Sequence, residues 1–378
     1  MKIVVDIGHP AHVHVMKNFI HAMEKKGHEV LITATSKDVA IGLLERYGLP
    51  HHNLGQPGNT LLSKMLFLPV SDYRMLRTVR SFRPDFFLGV GSIRAAQVAW
   101  LLRKPSIVFE DTEHSMEQIR LYLPFVSAVC TPSSFLRDLG EKQIRYRGTH
   151  ELAYLHPACF QPDPSVLDEL GVGTSDPFFI LRLAAFTATH DTRSEHFRRD
   201  YLPLLVKKLD REGKILISAE MQVDSSLQQY LFPLPPDRYH HALAYARLYI
   251  GESSTSAEEA AVLGTPALNF ERILVDGVPH TFAEYSGVLA ELQDRYDLVS
   301  CFHNEEALLE RLDGLLAQDI SRVREEWKGK RDRLLAEKIN VTRFMVWLVE
   351  KYPESVQAMK ADPEIQRQFQ GEQPSRIS

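Results

Sequence analysis

The chain has 378 residues, 44% hydrophobic and 25% charged, long enough for two domains of ordinary size and too long for one small module. Forty-four Lys plus Arg against 49 Asp plus Glu leave a net charge of -5, so no global basic field exists to hold a nucleic-acid backbone, and nucleic acid is not an expected partner. Cys130, Cys159 and Cys301 are odd in number, far apart and without C-x-x-C spacing, which argues against a disulfide framework or a thiolate zinc site and points to a reducing cytoplasm.

Met1-Lys2 runs straight into a short apolar strand, and no stretch approaches ~18 uninterrupted apolar residues, so neither secretion nor a membrane span is expected. Strand-like runs alternate with helix-period segments from the first residue, the pattern of a parallel sheet covered by helices, and the expected class is α/β. Ile3 to Val5 reads as a first strand and Gly8 to Ala11 as a turn. Val15, Phe19, Ala22 and Met23 form the apolar stripe of a helix ending at Gly27. Val30 to Ile32, Phe86 to Leu88 before Gly89 and Gly91, Ser106 to Phe109 and Ala128 to Cys130 read as further strands, with a helix from Ala95 to Leu102. Together they make one doubly wound unit.

Between Leu61 and Arg83, Lys64, Arg74, Arg77, Arg80 and Arg83 face only Asp72 and are interleaved with Leu61, Leu62, Met65, Leu66, Phe67, Leu68 and Leu76. Two readings stand: a helix packed on the sheet with a solvated basic face, or a peripheral contact with an anionic bilayer at the inner face of the membrane. Pro157, Pro162 and Pro164 then suit an interdomain connection. Beyond it Phe178 to Leu183, Lys214 to Ser218, Leu248 to Ile250 and Ala267 to Asn269 read as strands, with helices at Leu202 to Leu209 and Glu305 to Leu316. The expected division is 1–160, 161–325, a helical segment 326–352 with a helix around Arg331 to Lys351 returning to the first domain, and a poorly ordered polar tail 353–378.

Chemistry concentrates at three strand ends. In Gly251-Glu252-Ser253-Ser254-Thr255-Ser256-Ala257-Glu258-Glu259-Ala260, followed by Leu263-Gly264-Thr265-Pro266, a strand runs into a helix whose first turn is rich in hydroxyls. Its unpaired N–H groups and positive dipole end suit a diphosphate, and Glu259 further along suits a ribose; a well-capped helix is the plain structural alternative. The first turn, Asp6-Ile7-Gly8-His9-Pro10-Ala11-His12-Val13-His14, gathers three histidines and a carboxylate where open α/β sheets place ligands. There His12 could deprotonate an acceptor hydroxyl with Asp6 or Glu110 orienting it; His9 as a turn cap, His14 as packing, and a metal site from His12 and His14 with His190 or Asp191 are the other readings. The third end, Arg182 to Asp191, presents Arg182 to a diphosphate or, alternatively, to a surface acid such as Asp176 or Glu195.

In the order of the first turn, Gly89 to Gly91, Val108-Phe109-Glu110-Asp111 and the Gly251 to Pro266 block, the chain resembles an uncharacterised GT-B-like family of the domain-of-unknown-function series. That family shares the His-rich turn and the Arg, later His-Asp, motif, and is related to MurG-type glycosyltransferases and non-hydrolysing UDP-N-acetylglucosamine 2-epimerases. The resemblance implies GT-B, two Rossmann-like doubly wound domains facing a central cleft. By it Glu252 opens the nucleotide motif, Ser253, Ser254 and Thr255 pack on the diphosphate, Glu259 holds the ribose, and Arg182, His190 and Asp191 belong to the nucleotide-sugar side. His12 matches a MurG histidine, and Glu110 falls where the epimerases carry an acid. Gly89-Val90-Gly91 stands where the epimerases have an Asp, so part of their acid/base set is missing. His240 and His241 lie where such proteins contact the base and are expected to be structural.

The expected catalytic set is therefore His12, His14, Glu110 and Asp6, with no cofactor and no metal. The expected function is transfer from a UDP-sugar to a cell-envelope glycan or lipid-linked acceptor. Epimerisation, metal-dependent hydrolysis and non-catalytic nucleotide-sugar binding are the alternatives.

Overall fold

Branched and aromatic runs become the interior strands of two parallel sheets. The computed structural model describes residues 1–35, 39–56, 58, 61–184, 194–195, 197–198, 201–220 and 222–371, with backbone alone for 61, 62, 64, 65, 194 and 195. The chain divides into Met1–Cys159 with Lys338–Ser378 as one unit and Phe160–Glu337 as the other.

The first unit begins β1 (Lys2–Ile7), α1 (Pro10–Lys25), β2 (Glu29–Ala34), α2 (Ala40–Arg46), β3 (His51–Asn53) and α3 (Leu61–Arg80). It continues β4 (Phe86–Val90), α4 (Ile93–Leu101), β5 (Ser106–Phe109), α5 (Met116–Tyr122), β6 (Ala128–Pro132), β7 (Gln143–Tyr146) and α6 (Leu152–Leu155). The seven strands are parallel in the order β3-β2-β1-β4-β5-β6-β7. Every residue of β4, β5 and β6 is buried, as expected for a sheet covered on both faces. Val4 and Phe87 pack with Met75 and Val79 of α3 and Ala95, Val98 and Ala99 of α4. From β1 the chain steps to β2 and β3 on one side, then returns to place β4 on the other. The strand order therefore reverses at β1 and β4, where ligands enter such sheets.

The second unit begins α7 (Ser165–Leu170), β8 (Phe178–Leu183), β9 (Ser194–Glu195), α8 (Tyr201–Leu209), β10 (Lys214–Ala219), α9 (Tyr239–Tyr245), β11 (Leu248–Gly251) and α10 (Ser254–Leu263). It ends β12 (Ala267–Phe270), β13 (Arg272–Val275), β14 (Val278–Thr281), α11 (Gly287–Ala290), β15 (Val299–Phe302), α12 (Glu305–Leu316) and α13 (Ile320–Glu337). Its parallel sheet runs β10-β8-β11-β12-β15 and reverses at β8 and β11; β14-β13-β9 form a small antiparallel sheet.

Two expectations about the C-terminus are corrected. Instead of one helix around Arg331 to Lys351, α13 stops at Glu337 and α14 (Val341–Glu350) starts afresh. The Ile339 N–H bonds to the Arg147 carbonyl (2.9 Å), and the Asn340 side chain caps α14 by accepting from the Arg343 N–H (3.1 Å). Nor are the described residues after Pro353 a loose tail: α15 (Glu354–Ala361) and a 3-10 helix (Pro363–Phe369) follow, while 372–378 lie outside the described residues. The Gln366 side chain accepts from the Arg147 N–H (2.6 Å), and Phe369 packs against Trp347 (ring centroids 5.5 Å). A few well-placed buried residues hold a segment whose composition is polar.

Candidate functional site

At the carboxyl ends of β1, β4, β5 and β7, side chains far apart in sequence come together. His9 caps α1, its Nδ1 accepting from the Ala11 N–H (3.3 Å), and Pro10 follows as first helical residue. One turn on, His12 folds back: the Gly8 N–H donates to its Nδ1 (3.3 Å). A backbone N–H can only donate, so neutral His12 carries its proton on Nε2. Burial, reinforced by His9 and His150 nearby, holds its pKa well below the ordinary histidine value. Arg94 approaches the same glycine: a Cβ on Gly8 would lie 3.6 Å from its guanidinium and 3.8 Å from the His12 ring.

Asp6 is committed elsewhere. Fully buried, it accepts from Thr33 Oγ1 (2.8 Å), Ser92 Oγ (2.6 Å) and Arg94 Nη2 (2.8 Å), tying β1 to β2 and to the start of α4. Ser92 in turn caps α4 by accepting from the Ala95 N–H (3.1 Å). Glu110 also turns inward. Its Oε1 accepts from the Asp111 and Thr112 N–H groups (3.1 and 3.0 Å), and its Oε2 from Tyr122 Oη (2.9 Å). Burial, then the charge of Asp111, pushes its carboxyl up to about 7.

His14 does not join this group. Residues two apart on a helix lie on different faces, and His14 is buried, stacked on Tyr154 (5.4 Å) with Nδ1 3.3 Å from Tyr47 Oη. A metal site built on His12 and His14 together is therefore not formed. His190 and Asp191, the other suggested ligands, lie outside the described residues, and among the described ones no three His, Cys, Asp or Glu side chains are grouped to hold an ion.

Sequence reasoning missed the pair at the centre of the cluster. Asp111 Oδ2 lies 2.6 Å from Nδ1 of the buried His150, and Thr112 Oγ1 donates to the other Asp111 oxygen (3.0 Å). Burial opposes both charges, but the partner outweighs it, raising the His150 pKa and lowering that of Asp111. Next to it, Glu151 is pushed up to about 7 by burial and by Asp111. The signal available in the sequence was an acid two residues after β5 and a histidine four residues after β7.

In the second unit the switch point is similarly furnished. Arg182 at the end of β8 donates to Ser218 Oγ (2.6 Å) and pairs with Glu220 rather than with Asp176; the Glu195 side chain lies outside the described ones. Burial weakens its charge, but Tyr239, Glu220, Tyr249 and Glu259 more than restore it, which places Glu259 within electrostatic reach. Ser253 caps α10 by accepting from the Ser256 N–H (3.3 Å), leaving Ser254 and Thr255 half-buried on the first turn. Glu259 is buried with Oε1 2.8 Å from His240 Nε2. Glu252 acts as a clasp, accepting from the Ala184 and Phe197 N–H groups (3.0 and 2.7 Å). His241 accepts from the Asp163 N–H (2.9 Å).

The profile of the family described as "Protein of unknown function (DUF354)" matches residues 1–282. The chain belongs to that family. An uncharacterised protein of Methanocaldococcus jannaschii is 24% identical to this DUF354 chain over 278 residues, 70% of the chain and 80% of that protein. A shorter stretch, 116 residues or 28% of the chain, is 32% identical to 31% of the UDP-N-acetylglucosamine–N-acetylmuramyl-(pentapeptide) pyrophosphoryl-undecaprenol N-acetylglucosamine transferase of Desulfotalea psychrophila.

Among solved structures, S. aureus MnaA with UDP superposes with a TM-score of 0.67 at 13% identity, covering 94% of this chain and 98% of that one. UDP-GlcNAc 2-epimerase from Neisseria meningitidis bound to UDP-GlcNAc gives 0.65 at 14% identity, covering 93% and 100%. MurG of Acinetobacter baumannii gives 0.55 at 16%, also covering 93% and 100%. These likenesses show the fold: the DUF354 chain is a GT-B protein, an architecture its solved neighbours use as glycosyltransferases and epimerases.

Proposed function

We propose that the protein is a glycosyltransferase that takes a sugar from a UDP-sugar and passes it to a hydroxyl of a cell-envelope glycan or lipid-linked acceptor. The observation that carries this reading is the second unit's switch point, where Arg182, the capped first turn of α10 and buried Glu259 stand together. Arg182 and the helix N-terminus supply positive charge for a diphosphate without a metal ion, and Glu259 supplies a carboxylate for ribose hydroxyls. The 116-residue match to a transferase of a lipid-linked substrate favours transfer. So does the first unit, where Gly89, Val90 and Gly91 stand in place of the epimerase Asp and histidines gather at the switch point.

Incubating the protein with UDP-sugars, with and without candidate acceptors, and following free UDP and the sugar product by mass spectrometry tests the reading. Acceptor-dependent UDP release is expected. Glu259→Ala should weaken UDP binding at least ~10-fold in calorimetry, since a lost charge-assisted hydrogen bond is worth about 1.5–3 kcal/mol; unchanged affinity removes the nucleotide assignment.

Epimerisation is the second reading, favoured by Glu110, which titrates near neutral pH where the epimerases carry an acid, and by the MnaA likeness. A UDP-sugar isomer formed without acceptor would establish it.

A lipid-linked acceptor also suits α3, on which Leu66, Val70 and Tyr73 are exposed one turn apart beside exposed Arg74, Arg77 and Arg80. An apolar stripe edged with arginines fits an anionic bilayer surface. Co-sedimentation with phosphatidylglycerol vesicles, lost in Leu66→Ser/Tyr73→Ser, is expected; no co-sedimentation of the parent chain, or an unchanged amount in the variant, would remove the membrane contact.

A further inference from the structure

Two histidines of the first unit are held in opposite tautomers. In His12 the Gly8 N–H occupies Nδ1, so the neutral ring presents an N–H at Nε2 and can donate but not accept there. In His150 the 2.6 Å contact with the Asp111 carboxylate keeps the proton on Nδ1, so the neutral ring presents a lone pair at Nε2. That nitrogen is buried and has no hydrogen-bond partner among the described residues. A buried polar atom without a partner costs about 1–3 kcal/mol and calls for a reason.

We propose that His150, oriented by Asp111, is the general base for the acceptor hydroxyl, and that His12 is a neutral hydrogen-bond donor in the same site. The assignment rests on the transfer reading and deepens it. The acceptor oxygen forms a bond to the anomeric carbon while the bond from that carbon to the diphosphate oxygen breaks, its electron pair leaving with UDP. The hydroxyl proton passes to His150 Nε2, and the resulting imidazolium is held by the Asp111 carboxylate until it releases the proton to solvent.

Basicity divides the two rings in the same sense. His12 is surrounded by His9, His150 and Arg94, all of which disfavour a further positive charge, with Asp111 alone opposing them. His150 faces Asp111, Glu151 and Glu110, all of which favour its protonation. A base must gain a proton in the transition state, and only the second environment welcomes one.

Asp111→Asn on the full chain tests this, because Asn keeps the shape and a hydrogen bond but can donate its amide proton to Nδ1, moving the ring proton to Nε2 and filling the lone pair. Without substrate, and at a pH above the raised His150 pKa so that both rings are neutral, imidazole nitrogen NMR shifts should show His150 as the Nδ1–H tautomer and His12 as the Nε2–H tautomer, with His150 reversed in Asp111→Asn. With substrate, Asp111→Asn and His150→Gln should lower kcat by about 10²–10⁴ while UDP-sugar affinity stays within about threefold. The acidic limb of the pH–rate profile should persist in His12→Gln and vanish in His150→Gln.

An Nε2–H tautomer for His150 in the unaltered protein, or kcat within about threefold in Asp111→Asn, overturns the assignment. Failure of the transfer reading looks different: the unaltered protein binds UDP-sugar but releases no UDP with any acceptor, whatever tautomer the NMR reports.

Discussion

Glu110 shows how one side chain can be conspicuous in sequence and still face inward. Its position directly after a buried strand is readable from Val108-Phe109-Glu110-Asp111, but which of the two adjacent acids faces the histidines is not. Strand alternation sends neighbours to opposite sides, and here Glu110 takes the inner side, with Tyr122, while Asp111 takes His150. A carboxyl raised from 4.5 to about 7 binds its proton more tightly in the folded chain than in the unfolded one. Stability therefore falls as pH rises from about 4.5 to about 7 and stays lower above that, and Glu151 contributes in the same direction. Glu110→Gln keeps an oxygen for the Asp111 and Thr112 N–H groups and an amide beside Tyr122, which can turn to accept, and it removes the ionisation. The variant should gain on the parent by up to about 3 kcal/mol at pH 8 and by little at pH 4.5. Thermal melts giving the same difference at both pH values would show that Glu110 is not protonated in the fold.

At the scale of elements, long apolar runs announce themselves and short edge strands do not. Ser106–Phe109, Phe178–Leu183 and Glu305–Leu316 match the expected bounds. β3 (His-His-Asn) and β7 (Gln-Ile-Arg-Tyr) are too short and too polar to show a period, and only the completed sheet explains them. Missing β7 hid His150 as a partner of Asp111, since the two meet through the β5, β6 and β7 ladder rather than through any motif.

The β11-to-α10 connection was legible as a nucleotide-type turn, and the structure adds why its first residue is glycine. A Cβ on Gly251 would lie 2.6 Å from Arg182 Cβ, 2.8 Å from the Arg182 carbonyl and 2.7 Å from Tyr249 Oη. Backbone blocks the way, so β8 and β11 would have to separate. Gly251→Ala should cost about 1–3 kcal/mol and weaken UDP binding by displacing Arg182. Calorimetry and melting of the variant decide it; an unchanged melting temperature would mean that the turn yields freely.

The whole molecule is organised by a chain that leaves its first unit at Cys159 and comes back at Lys338. A returning helix was expected, but its weight was not, because the segment after Pro353 reads as polar and the apolar face of α14 has no visible partner in the linear sequence. α14 buries Val341, Phe344, Met345, Val346, Leu348 and Val349. Phe344 stacks on Tyr146 (5.8 Å), Thr342 donates to the Ala153 carbonyl (2.6 Å), and Glu350 meets Lys26 (2.9 Å) and His28 (3.0 Å) at the end of α1. Each large apolar side chain so placed contributes about 1.5–3 kcal/mol as an upper estimate, and marginal stability is typically only about 5–15 kcal/mol. Removing Lys338–Ser378 should therefore unfold the first unit, or leave it compact but loosely packed. The second unit begins and ends inside Phe160–Glu337 and has its own sheet and switch point, so that segment expressed alone should fold and bind UDP. The two outcomes are read by near-ultraviolet circular dichroism and calorimetry on the two fragments. A truncated chain ending at Glu337 that keeps native melting for its first unit would show that the returning segment is decoration and not part of the core.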